Sequence, residues 1–256
     1  MVYKDYRRNH VIFPGREVAL KSFLSQNYKG MKHKWTNGFN SHSEDALTWS
    51  CFDILANIPL KKRITALNEI FEDAYQGQNN PLFRNGKFKD GQVQIHVGKQ
   101  YTGFTSKEST EVDASVELPN TLVFFEAKLY STVSVAAPPE KPHDQIARKL
   151  RIGLDSPLHD NRNFFFIFLD IAPLEKLTKR KSKAEALKPS KNGFDDKWKS
   201  AWLFNYYKFG RNNSLSPLRK ALEGIDVPSI ESVAKNMGWL TWSDLFKITL
   251  RGLLPS

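Results

Sequence analysis

The sequence predicts an α/β chain in which helices flank a central mixed sheet, and three patterns carry that prediction. Residues Thr110 to Leu129 alternate as two strands around a tight turn. His143 to Ile171 reads as a helix followed by a strand. Ser41 to Tyr75 holds two runs with apolar residues at helical spacing.

The alternating stretch, TEVDASVELPNTLVFFEAKL, is the most informative. Its first strand puts Glu111, Asp113, Ser115 and Glu117 on one face and Val112, Ala114, Val116 and Leu118 on the other. The second puts Leu122, Phe124, Glu126 and Lys128 on one face and Val123, Phe125, Ala127 and Leu129 on the other. Pro119-Asn120 is the turn. Leu118 then pairs with Thr121, Asp113 faces Glu126, and Glu111 faces Lys128, with opposed side chains about 5 Å apart. Like charges directly opposite are destabilising. Two carboxylates held together share a proton or bind a cation. A divalent metal is the economical answer, and oxygen ligands favour magnesium or manganese. The plainer alternative is an edge hairpin with a surface Glu111–Lys128 pair and two solvated acids. The apolar flanks on both sides oppose it.

An acid on one strand followed by acid-x-lysine on the next resembles the PD-(D/E)xK nuclease superfamily, with its restriction-endonuclease-like fold. Here the motif is Asp113, then Glu126-Ala127-Lys128, with Val112 where the family name has proline. The resemblance covers roughly Ser41 to Asp170. It implies that Asp113, Glu126 and the main-chain carbonyl of Ala127 hold Mg²⁺, with Mn²⁺ able to substitute. It implies that Lys128 orients or deprotonates the attacking water.

The flanking helices supply the remaining candidates. In Ser41 to Pro59, Leu47, Cys51, Ile54, Leu55 and Ile58 form an inward stripe. Glu44 lies on that face, and Ser41-His42-Ser43-Glu44 also fits a capping box. The resemblance implies that Glu44 reaches the metal site, directly or through water, with Asp45 taking its place if the helix is rotated. Leu60 to Tyr75 reads as a second helix with Ile64, Leu67, Ile70, Phe71 and Ala74 inward. In the helix from His143 to Leu154, Ile146, Leu150, Gly153 and Leu154 face the sheet. Gln145, Arg148 and Lys149 share another face, which is either an exposed amphipathic surface or one whose Gln145 and Arg148, as the resemblance implies, position the scissile strand. Asn163 to Ile171 is almost continuously apolar and suits a central strand, parallel to its neighbour across the helical crossover. Gln92 to Val97 reads as a further strand, and Lys99 to Ser109 as a polar loop near substrate.

Charge points to the partner. The chain of 256 residues carries +11 at pH 7. Met1 to Lys34 holds eight Lys/Arg against two acids, and Lys176 to Lys199 holds nine against three. Such blocks are either solvated surface or contacts for polyanions. Beside a phosphodiester-cleaving site, nucleic acid is the natural partner, DNA ahead of RNA, with Arg148, Lys149, Lys179, Arg180, Lys181 and Lys183 as contacts.

Other chemistries lack their residues. One cysteine, Cys51, excludes an internal disulfide and a four-cysteine metal site. There is no GxxxxGK loop, no GxSxG elbow and no HExxH or HNH-like cluster among six histidines. A glycosidase could use two carboxylates but would need neither Lys128 nor the basic blocks. With no signal peptide and no apolar run of spanning length, a cytoplasmic protein without a membrane partner is expected.

Beyond residue 174 the expectation is a basic loop and a helical C-terminal extension, over 175–256, packed on a nuclease core over 1–174. Trp198, Trp202, Tyr206 and Phe209 recur at helical spacing, as core or as base-stacking groups. Short helices are expected over Ser214 to Glu223 and Ser229 to Met237, the second ended by Gly238, with another starting at Thr241. The short pair only loosely resembles a helix-turn-helix. The whole reads as a Mg²⁺-dependent nuclease acting on DNA in restriction, phage defence or mobile-element processing, with a homodimer allowed. A nucleic-acid-binding or assembly subunit that keeps the fold without cleaving, and an RNA-cleaving member of the same fold, are the alternatives.

Overall fold

The computed structural model describes residues 1–27, 32–77, 88–129, 131, 133–136, 138–139, 142–155, 163–171, 193–210 and 214–254, without the side chains of 193–200. A short 3-10 turn, Tyr6–Asn9, precedes the helices α1 (Glu17–Leu24), α2 (His33–Asn37), α3 (Glu44–Asn57) and α4 (Leu60–Tyr75). Three strands follow: β1 (Gln94–Thr102), β2 (Ser109–Leu118) and β3 (Thr121–Ala127). Then come α5 (Gln145–Leu154), β4 (Asn163–Asp170) and α6 (Gly193–Lys208). The chain continues through α7 (Ser216–Ala221), α8 (Ile230–Lys235), β5 (Met237–Thr241) and α9 (Trp242–Leu253).

The five strands form one mixed sheet in sequence order. β1, β2 and β3 pair antiparallel, and β4 and β5 add parallel to β3. Leu118 pairs with Thr121 and Ala114 with Phe125, the register expected from the Pro119-Asn120 turn. β3 is buried along its whole length, as a central strand covered on both faces must be. Val123 and Phe125 of β3 pack under α3, α4 and α9, with Phe52, Leu67, Phe71 and Leu245. Leu122 and Phe124 pack on the opposite side with Ile146 and Leu150 of α5, Phe204 of α6 and Trp239 of β5. At α5 the fit is close: a Cβ on Gly153 would stand 2.1 Å from the Phe164 ring.

Four expectations are corrected. The segment beyond residue 174 is not wholly helical, because Met237–Thr241 pairs with β4 as the fifth strand. Gly238 therefore does not end a helix; it gives the Tyr75 ring room, since a Cβ there would lie 2.8 Å away. β1 extends to Thr102, so Lys99 is in a strand. The turn after it is pinned, with Asp155 accepting from the N–H groups of Thr105 at 2.9 Å and Ser106 at 2.7 Å. In α6 the buried face is Ala201, Phe204 and Tyr207. Trp202 and Tyr206 instead stack on each other, half-buried, with ring centroids 5.1 Å apart. Of the expected stripe, Trp202 and Tyr206 therefore lie beside the core face, Phe209 is exposed, and the Trp198 side chain is outside the described residues. Among the described residues no helix is long and apolar enough to cross a membrane.

Candidate active site

The β2–β3 pairing runs to Ala114–Phe125, and just beyond it Asp113 and Glu126 meet at the Lys149 ammonium of α5. The main chain couples the strands here, with Ala127 N–H donating to Asp113 Oδ2 at 2.7 Å. Glu126 is fully buried. Two ammonium groups neutralise the pair. Lys128 Nζ lies 2.6 Å from Glu126 Oε1 and donates to the Ala127 carbonyl at 2.9 Å. Lys149 Nζ pairs with Glu126 Oε2 and lies 3.3 Å from Asp113 Oδ1. This corrects one expectation: Lys149 is not on a nucleic-acid-facing surface but wholly buried beneath the carboxylates. Its position, between Ile146 and Leu150 on the inward stripe, was the signal.

Glu111 does not face Lys128. β3 ends at Ala127, and Lys128 N–H turns to the Leu169 carbonyl at 2.7 Å. Glu111 pairs with Gln100 of β1 and forms an ion pair with Lys34 at 2.5 Å. Lys34 fits there because the β1 residue beside Asp113 is Gly98, at φ +65°, where a Cβ would lie 2.4 Å from Lys34 Nζ. Sequence reasoning missed this contact, which joins the basic N-terminal block to the site.

On α3 the capping-box role of Glu44 is also corrected. Ser43 is the N-cap, its hydroxyl accepting from Ala46 N–H at 3.2 Å. Glu44 instead accepts from Leu129 N–H and from the Ser131 hydroxyl, the latter at 2.5 Å. It thereby ties α3 to the exit of β3. Asp45, the alternative under a rotated helix, is the acid of this pair that lines the cleft.

That cleft has a volume of about 280 Å³, and Lys34, Asp45, Glu111, Asp113, Gln145 and Arg148 are among its lining residues. Gln145 holds Ser134 by two bonds, its amide oxygen accepting at 3.1 Å and its N–H donating at 2.9 Å. Arg148 Nε is buried without an acceptor, and no carboxylate among the described residues comes within ion-pair distance of its guanidinium. Lys179, Arg180, Lys181 and Lys183 lie outside the described residues.

The electrostatics pull the carboxyls apart. Burial pushes Glu126 up, and the Asp113 charge adds to it against both lysines. Burial would also raise Asp113, but Lys149, Lys128 and the Ala127 N–H outweigh it and hold it below the ordinary carboxylate range. Asp45 is pushed up to about 6 by burial and then by Asp113. Burial would lower Lys128, yet Glu126, Asp113 and Glu44 hold it well above the usual lysine range.

The oxygens touched by the two ammonium groups are two carboxylates and a main-chain carbonyl. Glu126 Oε1 is buried without an aligned hydrogen bond, its pairing to Lys128 being one of charge. Among the described residues no three His, Cys, Asp or Glu side chains form a ready metal cage. The set of hard oxygen donors around an already cation-filled position nevertheless fits a divalent cation of the magnesium class. Comparison with protein families, with curated proteins and with solved structures finds no match to the chain.

Proposed function

We propose that this chain is a metal-dependent nuclease that hydrolyses phosphodiester bonds in DNA, in restriction, phage defence or mobile-element processing. The observation that carries the reading is a juxtaposition: the Asp113 carboxylate in the cleft wall, grouped with the buried Glu126 carboxylate and Lys128 ammonium, and Arg148 in the same cleft with its Nε lacking an acceptor among the described residues.

Asp113, Glu126 and the Ala127 carbonyl would hold Mg²⁺ or Mn²⁺, with Asp45 as the further acid in the cleft in place of Glu44. When bound, the metal supplies a lowered pKa for water and charge stabilisation at the phosphate. Lys128, held protonated by its carboxylate neighbours in the metal-free arrangement, would orient or deprotonate the attacking water. Arg148 lines the cleft and meets no carboxylate among the described residues, so its guanidinium would be free to donate to a phosphate oxygen. Gln145 fixes the segment at Ser134, which forms part of the cleft wall.

One observation favours a second reading, a nucleic-acid-binding subunit that does not cleave: both carboxylates already have ammonium partners. Incubation with double- and single-stranded DNA and RNA, with Mg²⁺, Mn²⁺ or a chelator, separates the two. Metal-dependent cleavage that Lys128→Ala abolishes supports the nuclease. Binding without cleavage under every metal condition leaves the second reading.

A further inference from the structure

The carboxylate pair has two cations where the hairpin motif supplies one. Lys128 belongs to the motif; Lys149 comes from α5, the helix that crosses beneath it. An ammonium is costly to bury unless it is paired and hydrogen-bonded. Lys149 is among the most buried side chains of the protein, and its nitrogen contacts both acids, Glu126 directly and Asp113 at 3.3 Å. Two carboxylates and two ammonium groups balance with no other ion. A divalent cation on the same oxygens adds two charges to a set already neutral. The oxygens that face Lys149, Asp113 Oδ1 and Glu126 Oε2, are among those a metal would take.

We propose that Lys149 is a positioning residue that holds Asp113 and Glu126 convergent before metal arrives, and that metal binding is an exchange in which its ammonium leaves them. The inference rests on the reading of this cluster as a metal site. The displaced ammonium also has a destination. Asp113, which it touches at 3.3 Å, itself lines the cleft together with Gln145 and Arg148. Once released, the Lys149 ammonium turns into that opening, where a phosphate backbone would lie. Metal and polyanion then favour each other's binding, because each takes one side of an ion pair that otherwise closes on itself.

Calorimetric titration of the full chain with Mn²⁺ tests this, using wild type, Lys149→Met and Lys149→Arg. Lys149→Met removes the competing cation and keeps the length of the side chain. It binds Mn²⁺ about tenfold more tightly than wild type, while its metal-free Tm falls. Lys149→Arg restores a cation and returns affinity toward the wild-type value, a rescue that a packing role would not give. Equal or weaker binding by Lys149→Met, with wild type binding normally, overturns the exchange and leaves the metal site standing. No Mn²⁺ binding by wild type or variant removes the site and the inference with it. If Lys149→Met does not fold, wild type decides alone, through acylation of Lys149 read by peptide mass spectrometry. Labelling rises on Mn²⁺ saturation if the ammonium leaves the carboxylates, and unchanged labelling overturns the proposal.

Discussion

The Ala127 N–H that donates to Asp113 Oδ2 at 2.7 Å gives the two oxygens of one carboxylate different work. Oδ2 is tied to the main chain of β3, which fixes the side chain. Oδ1 is thereby aimed at the position now held by the Lys149 ammonium, 3.3 Å away. A short strand pair so converts backbone register into the orientation of an acid.

Metal should stabilise the fold through this acid. Mn²⁺ is expected to raise Tm, because it binds the native arrangement and not the unfolded chain. Asp113→Asn should shrink that rise. The Asp113 carboxyl lies below its ordinary range in the fold, so its charge contributes stability above the unfolded pKa that is lost as pH falls through the folded one. The variant should accordingly be less stable than wild type at neutral pH in chelator. An undiminished Mn²⁺ response, read by thermal melts, would remove Asp113 from the metal site.

Asp45 carries the opposite sign. Its pKa rises from 3.8 to about 6 in the fold, so its ionised form opposes folding. The penalty is absent below the unfolded pKa, grows across the window between the two values and is complete above the folded one. In chelator, Asp45→Asn should stabilise the protein near neutral pH by up to about 3 kcal/mol, at about 1.4 kcal/mol per pKa unit. The gain should be smaller at about pH 4.5 than at about pH 7.5. Urea unfolding that gives equal gains at both would contradict the assignment.

Arg148→Ala should leave stability almost unchanged, since the guanidinium forms no ion pair among the described residues. It should weaken duplex DNA binding and reduce the slope of log affinity against log salt by about 0.9 for one phosphate contact. An unchanged slope in fluorescence titrations would place the phosphate elsewhere.

Lys128→Ala separates chemistry from binding. Under single-turnover, saturating conditions it should cost about a hundredfold or more in cleavage rate, the scale of one lost donor at a developing charge. Most of the DNA affinity should remain. Normal cleavage at saturation would end the catalytic role and favour the binding-subunit reading.

Gly153→Ala probes the packing that holds α5 against the sheet. Its Cβ would fall 2.1 Å from the Phe164 ring, and overpacking of this kind costs about 1–3 kcal/mol. Wild-type stability in urea would mean that α5 moves freely there.

The parts legible in the sequence were those set by strict periodicity. The hairpin register followed from alternation and a two-residue turn, and α4 spans the Leu60–Tyr75 expected from its apolar spacing. The parallel pairing of β4 followed from the helical crossover before it. β5 was not legible, because five residues containing a glycine after a helix look like a helix end. The exchange of Glu44 for Asp45 turns on where the cap falls: Ser43 starts α3, and one residue of rotation decides which acid enters the cleft. The burial of Lys149 is written in its position among Ile146, Leu150 and Gly153, while its charge taken alone points to the surface.

One bond from the far end of the fold bears on when the site exists at all. Trp242 Nε1 donates to the Lys128 carbonyl at 3.0 Å, across 114 positions of sequence. On the ribosome, at about 5–20 residues per second, the Asp113–Lys128 segment emerges several seconds before the indole that braces it. During that interval the β4 edge is also open, since β5 directly precedes the tryptophan. A growing chain therefore displays its acids before it can aim them. Nascent chains stalled before Met237 should show neither Mn²⁺-dependent cleavage nor protease resistance, and both should appear together once Trp242 is outside.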